Sequence, residues 1–276
     1  MQYFQFEIPK NRLLAFNNSF HGRTYGSIST TGQPKYHKGF EPLLPGIDFA
    51  DFNDIDSVTN KITDETCAIL VEPIQAEGGI HVASNEFLRK LRDICDEREM
   101  LLVFDEIQVG CGRTGPLWAH EEYEIYPDIM TVAKALGGGL PIGVTLMRQH
   151  VADAIEAGDH AATFGANPVA CAAAVTVLQK LLNPEFINEI NNFIPRKRGN
   201  FAVEAALGAV HVSCPERAGR QAKEGLRLAS TCAPAGFTVL GARASIPPTP
   251  GGTLAFRLRL SMFPGAAAPT SVMTPT

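Results

Sequence analysis

Three short apolar runs, each ending in a polar cluster, limit what this chain can become more than any other feature. Ala68-Ile-Leu-Val leads into Glu72-Pro-Ile-Gln-Ala-Glu-Gly-Gly, Leu101-Leu-Val-Phe into Asp105-Glu-Ile-Gln, and Ile129-Met-Thr-Val into Ala133-Lys134-Ala-Leu-Gly-Gly-Gly. Runs of near-continuous hydrophobicity suit strands buried on both faces, as in parallel sheets. Leu13-Leu-Ala-Phe and Ile142-Gly-Val-Thr-Leu-Met read as further strands. Helical patterns lie between them. One has apolar residues at Phe87, Leu88, Leu91 and Ile94 with Asn85 as its expected cap, and another opens as Asn167 then Pro168. This alternation predicts an α/β fold, a mostly parallel sheet flanked by helices. Ligands of such sheets bind beyond the carboxyl ends of the strands, which is where the three polar clusters fall.

The remaining composition narrows the class. The 276 residues are 45% apolar and 19% charged, a globular balance with enough chain for one large domain or a large and a small one. A net charge of −5 gives no electrostatic reason to expect nucleic acid or an anionic membrane. No run approaches the roughly 20 apolar residues of a membrane span. The opening MQYFQFEIPKNR has neither the apolar core of a secretory signal nor transit-peptide character, so the expected place is the cytoplasm or an organelle matrix, mitochondrial or plastid. Six cysteines without paired or metal-ligand spacing predict reduced thiols and no metal site.

Composition changes near residue 197. Residues 201–276 hold 15 Ala, 8 Gly and 8 Pro but no Asp, Asn, Tyr or Trp, and carry about +4 against −9 for residues 1–200. Turn formers and periodic apolar pattern are both scarce there. The expected division is therefore 1–196 as the functional domain and 197–276 as an atypical Ala/Pro/Gly/Arg-rich tail. That tail reads either as flexible or as sequence out of its original frame, the second being favoured because the helical pattern up to Asn192 stops without a closing element.

Lys134 sits among Val132, Ala133, Ala135 and Leu136 and is followed by three glycines. Desolvation in such a setting lowers an amine's pKa and frees the neutral form for reaction with a carbonyl. Alone it reads equally as a surface lysine. Asp105 follows four apolar strand residues and needs a cationic partner if buried. A protonated pyridine nitrogen, as in pyridoxal phosphate (PLP), is one such partner; a helix cap or an arginine pair is another. The two residues together suit a PLP site better than either does alone.

At this point the residues resemble a known family. Asp105-Glu-Ile-Gln-Val-Gly-Cys-Gly-Arg-Thr-Gly and Pro127-Asp-Ile-Met-Thr-Val-Ala-Lys134-Ala-Leu-Gly-Gly-Gly-Leu-Pro-Ile-Gly are similar to the signature of class III aminotransferases. Asn18-Ser-Phe-His-Gly-Arg-Thr and Val71-Glu-Pro-Ile-Gln-Ala-Glu-Gly-Gly match two further blocks in order, and the likeness spans about residues 12–192. It implies a fold-type I PLP-dependent large domain and, within the family, an acetylornithine-type activity. The expected reaction moves an amino group from N-acetylornithine to 2-oxoglutarate in arginine biosynthesis, by a homodimer. Ornithine or 4-aminobutyrate as donor, and a catalytically inactive truncated remnant, stand as alternatives.

The resemblance also implies roles. Lys134 would hold PLP covalently and then carry the proton, and Asp105 would pair with the ring nitrogen. Ile107 and Phe20 would flank the ring, and Gln108 would sit near its phenolic oxygen. Thr163 would donate to the phosphate of the partner subunit's cofactor, Arg23 would grip a substrate carboxylate, and Glu77 would be the gate carboxylate. Ala162 lies where relatives seat the acylated substrate with a hydroxyl residue, and Ala161 where they tend to carry glycine. His21 receives no role. Relatives also carry a Gly/Ser-Gly-Thr phosphate turn ahead of the Asn18 block and a gate arginine in a C-terminal domain, and neither is recognisable here.

Overall fold

The strand and helix patterns resolve into a seven-stranded sheet with helices packed on it. A computed structural model of the protein describes residues 10–193 together with the short segments 239–241, 243–244 and 258–259. In chain order the strands are β1 (Arg12–Phe16), β2 (Ile47–Ala50), β3 (Thr66–Val71), β4 (Ile74–Gln75), β5 (His81–Val82), β6 (Leu101–Asp105), β7 (Ile129–Val132), β8 (Gly143–Met147), β9 (Val239–Gly241), β10 (Arg243–Ala244) and β11 (Leu258–Arg259). The α-helices are α1 (Tyr25–Thr30), α2 (Ile55–Lys61), α3 (Asn85–Glu97), α4 (Gln149–Ala152), α5 (Pro168–Leu181) and α6 (Pro184–Phe193). Apart from β9–β11, the atypical tail expected from composition lies outside the described residues.

The main sheet runs β2-β1-β3-β6-β7-β8-β9. Its first five strands are mutually parallel, β8 turns back antiparallel to β7, and β9 pairs parallel with β8. The largely parallel expectation is met. The register sets Val71 beside Phe104, and Asp105 beside Thr131. The carboxyl ends of β1, β3, β6 and β7 therefore come out side by side along one rim.

Packing explains why the sheet holds. The amphipathic α3 buries Phe87, Leu88, Leu91 and Cys95, each large apolar side chain contributing about 1.5–3 kcal/mol on burial. Phe87 meets Phe16 and Phe52 edge-on, with ring centroids 5.5 Å away in both cases. Two caps were expected. Asn167 caps α5 as anticipated, its Oδ1 accepting from Val169 and Ala170 N–H, and Pro168 follows at the first helical position. Asn85 does not cap α3; Ser84 does, its hydroxyl accepting from Phe87 N–H at 3.1 Å, which makes Asn85 the first helical residue.

At the amino end of β7 a buried carboxylate ties layers together. Asp128 Oδ2 accepts from Arg92 of α3 at 2.7 Å and from Leu102 N–H of β6 at 2.8 Å. Arg92 also bonds Asp96 one helical turn on, at 2.7 Å. Cys67, Cys95, Cys111 and Cys171 are all unpaired.

Candidate active site

The rim is best built outward from Asp105, the last residue of β6, which is only 6% exposed. Its Oδ1 accepts from Ile107 N–H at 3.1 Å and from the Thr131 hydroxyl of β7 at 3.2 Å. Its Oδ2 lies 2.8 Å from His21 Nδ1. A carboxylate only accepts, so His21 carries hydrogen on Nδ1. The other ring nitrogen, Nε2, is buried with no partner among the described residues. His21, assigned no role from sequence, is thus a hydrogen-bond partner of the buried Asp105. The two residues lie 84 positions apart in sequence, and no local signal joins them.

Glu72, just past β3, brings a second buried acid to the rim at 3% exposure. Its Oε2 accepts from Phe20 N–H at 3.0 Å. Burial pushes its carboxyl well above the ordinary range and the negative charge of Asp105 adds to that, while the Phe20 bond and the charge of Lys134 oppose. Glu106, next to Asp105 but turned away, is a third. It accepts from Ala119 N–H, His120 N–H and His120 Nδ1 at 2.7–2.9 Å, and this clamp pins the loop after β6.

Lys134 leaves the end of β7 with φ +46°, a left-handed conformation unusual for a side-chain-bearing residue and characteristic of strained functional positions. Lys134 is an exposed residue. Partial burial nevertheless lowers its pKa, assisted by the Arg113 cation and opposed by the charges of Asp105, Glu72 and Glu77. Lys134 follows the carboxyl end of β7, next to the end of β6 that carries Asp105. Arg113 Nε and Thr114 Oγ1 are two further buried polar atoms without a partner here.

A more open layer surrounds these groups. Phe20 is half-buried, outside the apolar core, with Tyr36 edge-on to its ring at 5.5 Å. The Arg23 guanidinium lies 4.0 Å from the centroid of the Tyr36 ring and 5.6 Å from that of Phe20. Glu77 is exposed and accepts from the Tyr36 hydroxyl and from Gln33 Nε2, the latter at 3.1 Å. Its partial burial favours the neutral form but is outweighed by those two bonds and by the Lys35 and Arg23 charges, so its pKa is lowered. Gly78 permits this loop to cross the end of β1: a Cβ there would stand 2.1 Å from the Asn18 carbonyl oxygen.

Of the expected site residues, the fold gathers Asp105, Lys134, Ile107, Phe20, Arg23 and Glu77 along one rim, with Gln108 half-buried on the loop after Ile107. Thr163 and Ala162 are exposed on the segment leading into α5, and among the described residues no hydrogen bond links them to the Asp105–Lys134 cluster. His21, Thr131, Glu72, Tyr36 and Gln33 escaped the sequence reading, because each is defined by a partner far along the chain.

The donor set suits the ring nitrogen and aldehyde of a pyridine aldehyde. Asp105 keeps lone pairs for a protonated ring nitrogen after accepting its three bonds, and Lys134 offers an amine, its pKa lowered, that can attack an aldehyde.

Comparisons with known proteins agree with that chemistry. A family model described as aminotransferase class-III matches residues 2–195. An acetylornithine aminotransferase from Aquifex aeolicus is 50% identical over 191 residues, covering 68% of this chain and 50% of that protein. A succinylornithine transaminase from Yersinia pestis is 52% identical over 178 residues, covering 64% of this chain and 43% of that one. The chain thus spans about half the length of the curated relatives it matches. Among solved structures, an ornithine aminotransferase from Toxoplasma gondii superposes with TM-score 0.63 at 33% identity, over 67% of this chain and 45% of that one. A second structure of the Toxoplasma enzyme, TM-score 0.60 at 30% identity over 80% and 47% of the two chains, is described as having partial occupancy of PLP at its active site.

Proposed function

The chain belongs to the class III aminotransferases, and on that premise we propose that its protein moves an amino group from N-acetylornithine to 2-oxoglutarate using PLP. The observation that supports this most is the meeting of Lys134 and Asp105 on one rim, a pKa-lowered amine within the field of a buried carboxylate. When bound, PLP supplies an electron-withdrawing ring that takes up the charge released as a bond to the substrate Cα breaks.

The residues of this chain do the rest. Lys134 would hold the cofactor through its Nζ and would carry the proton to and from the substrate Cα. Desolvation suits it to both tasks, because the amine must be neutral to attack and to accept a proton. Asp105 would accept the ring N–H, its carboxylate already fixed by three donors (Ile107 N–H, Thr131 and His21). Ile107 and Phe20 would confine the ring, and Gln108 would serve its phenolic oxygen. Arg23 grips a carboxylate with its planar fork.

Likeness to both acetylornithine and succinylornithine enzymes points to an ω-acylated ornithine as donor, with Ala162 beside the acyl group. Thr163 and Ala162 serve the partner's site in a homodimer. Exposed Phe164 and Val169, 66% and 67% accessible beside Thr163, suit that surface to a subunit contact. Among the described residues no helix is long and apolar enough to cross a membrane.

The decisive test is covalent. The full chain is incubated with PLP, reduced with borohydride and digested; the expected cofactor mass falls on the Lys134 peptide and disappears in Lys134→Ala. A folded chain with no adduct at Lys134 would overturn the assignment. Single-turnover amino release from N-acetylornithine, N-succinylornithine, ornithine and 4-aminobutyrate then ranks the donors, the first two being expected to lead.

A further inference from the structure

Arg23 and Glu77 lie close enough for each to feel the other's charge, yet among the described residues they form no ion pair. Opposite charges within reach on a protein surface pair unless other bonds hold them apart. What intervenes is Tyr36. Its ring face meets the Arg23 guanidinium at 4.0 Å, its edge meets Phe20, and its hydroxyl donates to Glu77 Oε1. Lys35 adds a second cation 4.7 Å from the ring centroid. Gln33 takes the other Glu77 oxygen and is itself fixed, since the same amide nitrogen donates to the Asn18 and Ser19 carbonyls at 3.2 and 3.1 Å. Buried Gln33 therefore anchors Glu77 to the segment that carries Phe20, His21 and Arg23.

We propose that Tyr36 is a positioning residue that, with Gln33, latches Glu77 away from Arg23 and so keeps the Arg23 fork free for a substrate carboxylate. The inference rests on the carboxylate-binding role assigned to Arg23 under the proposed function. With both oxygens engaged, Glu77 gains little by swinging across, and Arg23, resting on the Tyr36 ring, keeps its planar fork for bidentate recognition. Without the hydroxyl, one oxygen of Glu77 loses its donor and the nearest replacement is Arg23.

Phenylglyoxal, which modifies guanidinium groups, reads this directly on the full chain without any cofactor. Peptide mapping is expected to show rapid labelling of Arg23 in the native chain and slower labelling when glutarate, the probe carboxylate, is present. Tyr36→Phe keeps the ring and its stacking but should slow Arg23 labelling roughly three- to fivefold as Glu77 closes onto it, the scale of an exposed ion pair. Tyr36→Phe combined with Glu77→Gln should return to the native rate and recover glutarate protection. Native-rate labelling in Tyr36→Phe, a double variant as slow as the single, or no glutarate protection in the native chain each overturns the proposal. Circular dichroism on each variant confirms that folding is retained. Borohydride trapping at Lys134 is a separate readout, so a failed latch and a failed aminotransferase assignment give different patterns.

Discussion

Asp105 and Asp128 are buried acids at opposite ends of neighbouring strands, and they are solved differently. Asp128, at the amino end of β7, meets two strong donors at 2.7 and 2.8 Å, one of them the guanidinium of Arg92, with Arg148 and His150 a further 3.8 Å away. Its charge is balanced from within the fold. Asp105, at the carboxyl end of β6, has one histidine and two neutral donors, stands near a second buried acid, Glu72, and faces a lysine in a left-handed conformation. The first end is built to stay folded. The second holds desolvated charge, strain and unpartnered buried atoms in place until something else binds, which is how stability is commonly traded for function.

The largest effect should come from the settled end. Asp128→Ala strands the Leu102 N–H and leaves Arg92 only its exposed partner Asp96, and breaking the buried pair on one side costs about 3 kcal/mol; a urea midpoint close to native would show that the two ends do not differ as described. Asp105→Asn, by contrast, keeps an oxygen for Ile107 N–H and Thr131 and relieves the repulsion on Glu72, but its amide NH2 meets His21 Nδ1, which must then pass its hydrogen to Nε2. Its stability loss should be about 1–2 kcal/mol in the same titration, smaller than that of Asp128→Ala, while PLP retention on dialysis falls sharply.

A pH comparison sharpens the contrast. Glu72 holds its proton more tightly folded than unfolded, so folding takes up a proton, and this group favours the folded state as pH falls and penalises it as pH rises. Glu72→Gln, which keeps an acceptor for Phe20 N–H, should raise stability at pH 8 and lose that advantage toward pH 5. Equal urea midpoint differences at both values would rule this out. The smallest effect concerns Lys134. Acetic anhydride labelling of its amine should titrate below the ordinary lysine value, and lower still in Asp105→Asn, because the Asp105 charge opposes the depression. An upward move in that variant would contradict the shared field.

Much of the fold was legible because its signals are local. Short apolar runs became β3, β6 and β7, and the Asn167-Pro168 start became α5, since burial on both faces and cap chemistry act over a few residues. The cap of α3 was misplaced by one residue: Ser84 and Asn85 both qualify by type, and only the backbone turn selects which side chain reaches Phe87 N–H. Strand β2 went unread because Ile47-Asp-Phe-Ala is too short and mixed to stand out beside its neighbours.

From the sequence alone came the layer architecture, the strand ends at which polar chemistry collects, and the ordered blocks around Asp105 and Lys134 that carry the family resemblance. Tertiary structure alone decided that His21 buttresses Asp105, that Thr131 shares the task, and that Tyr36 and Gln33 hold Glu77 beside Arg23. Those contacts join residues dozens of positions apart. They depend on strand order and register, which arise from burying the whole sheet at once and leave no trace in any local stretch of chain.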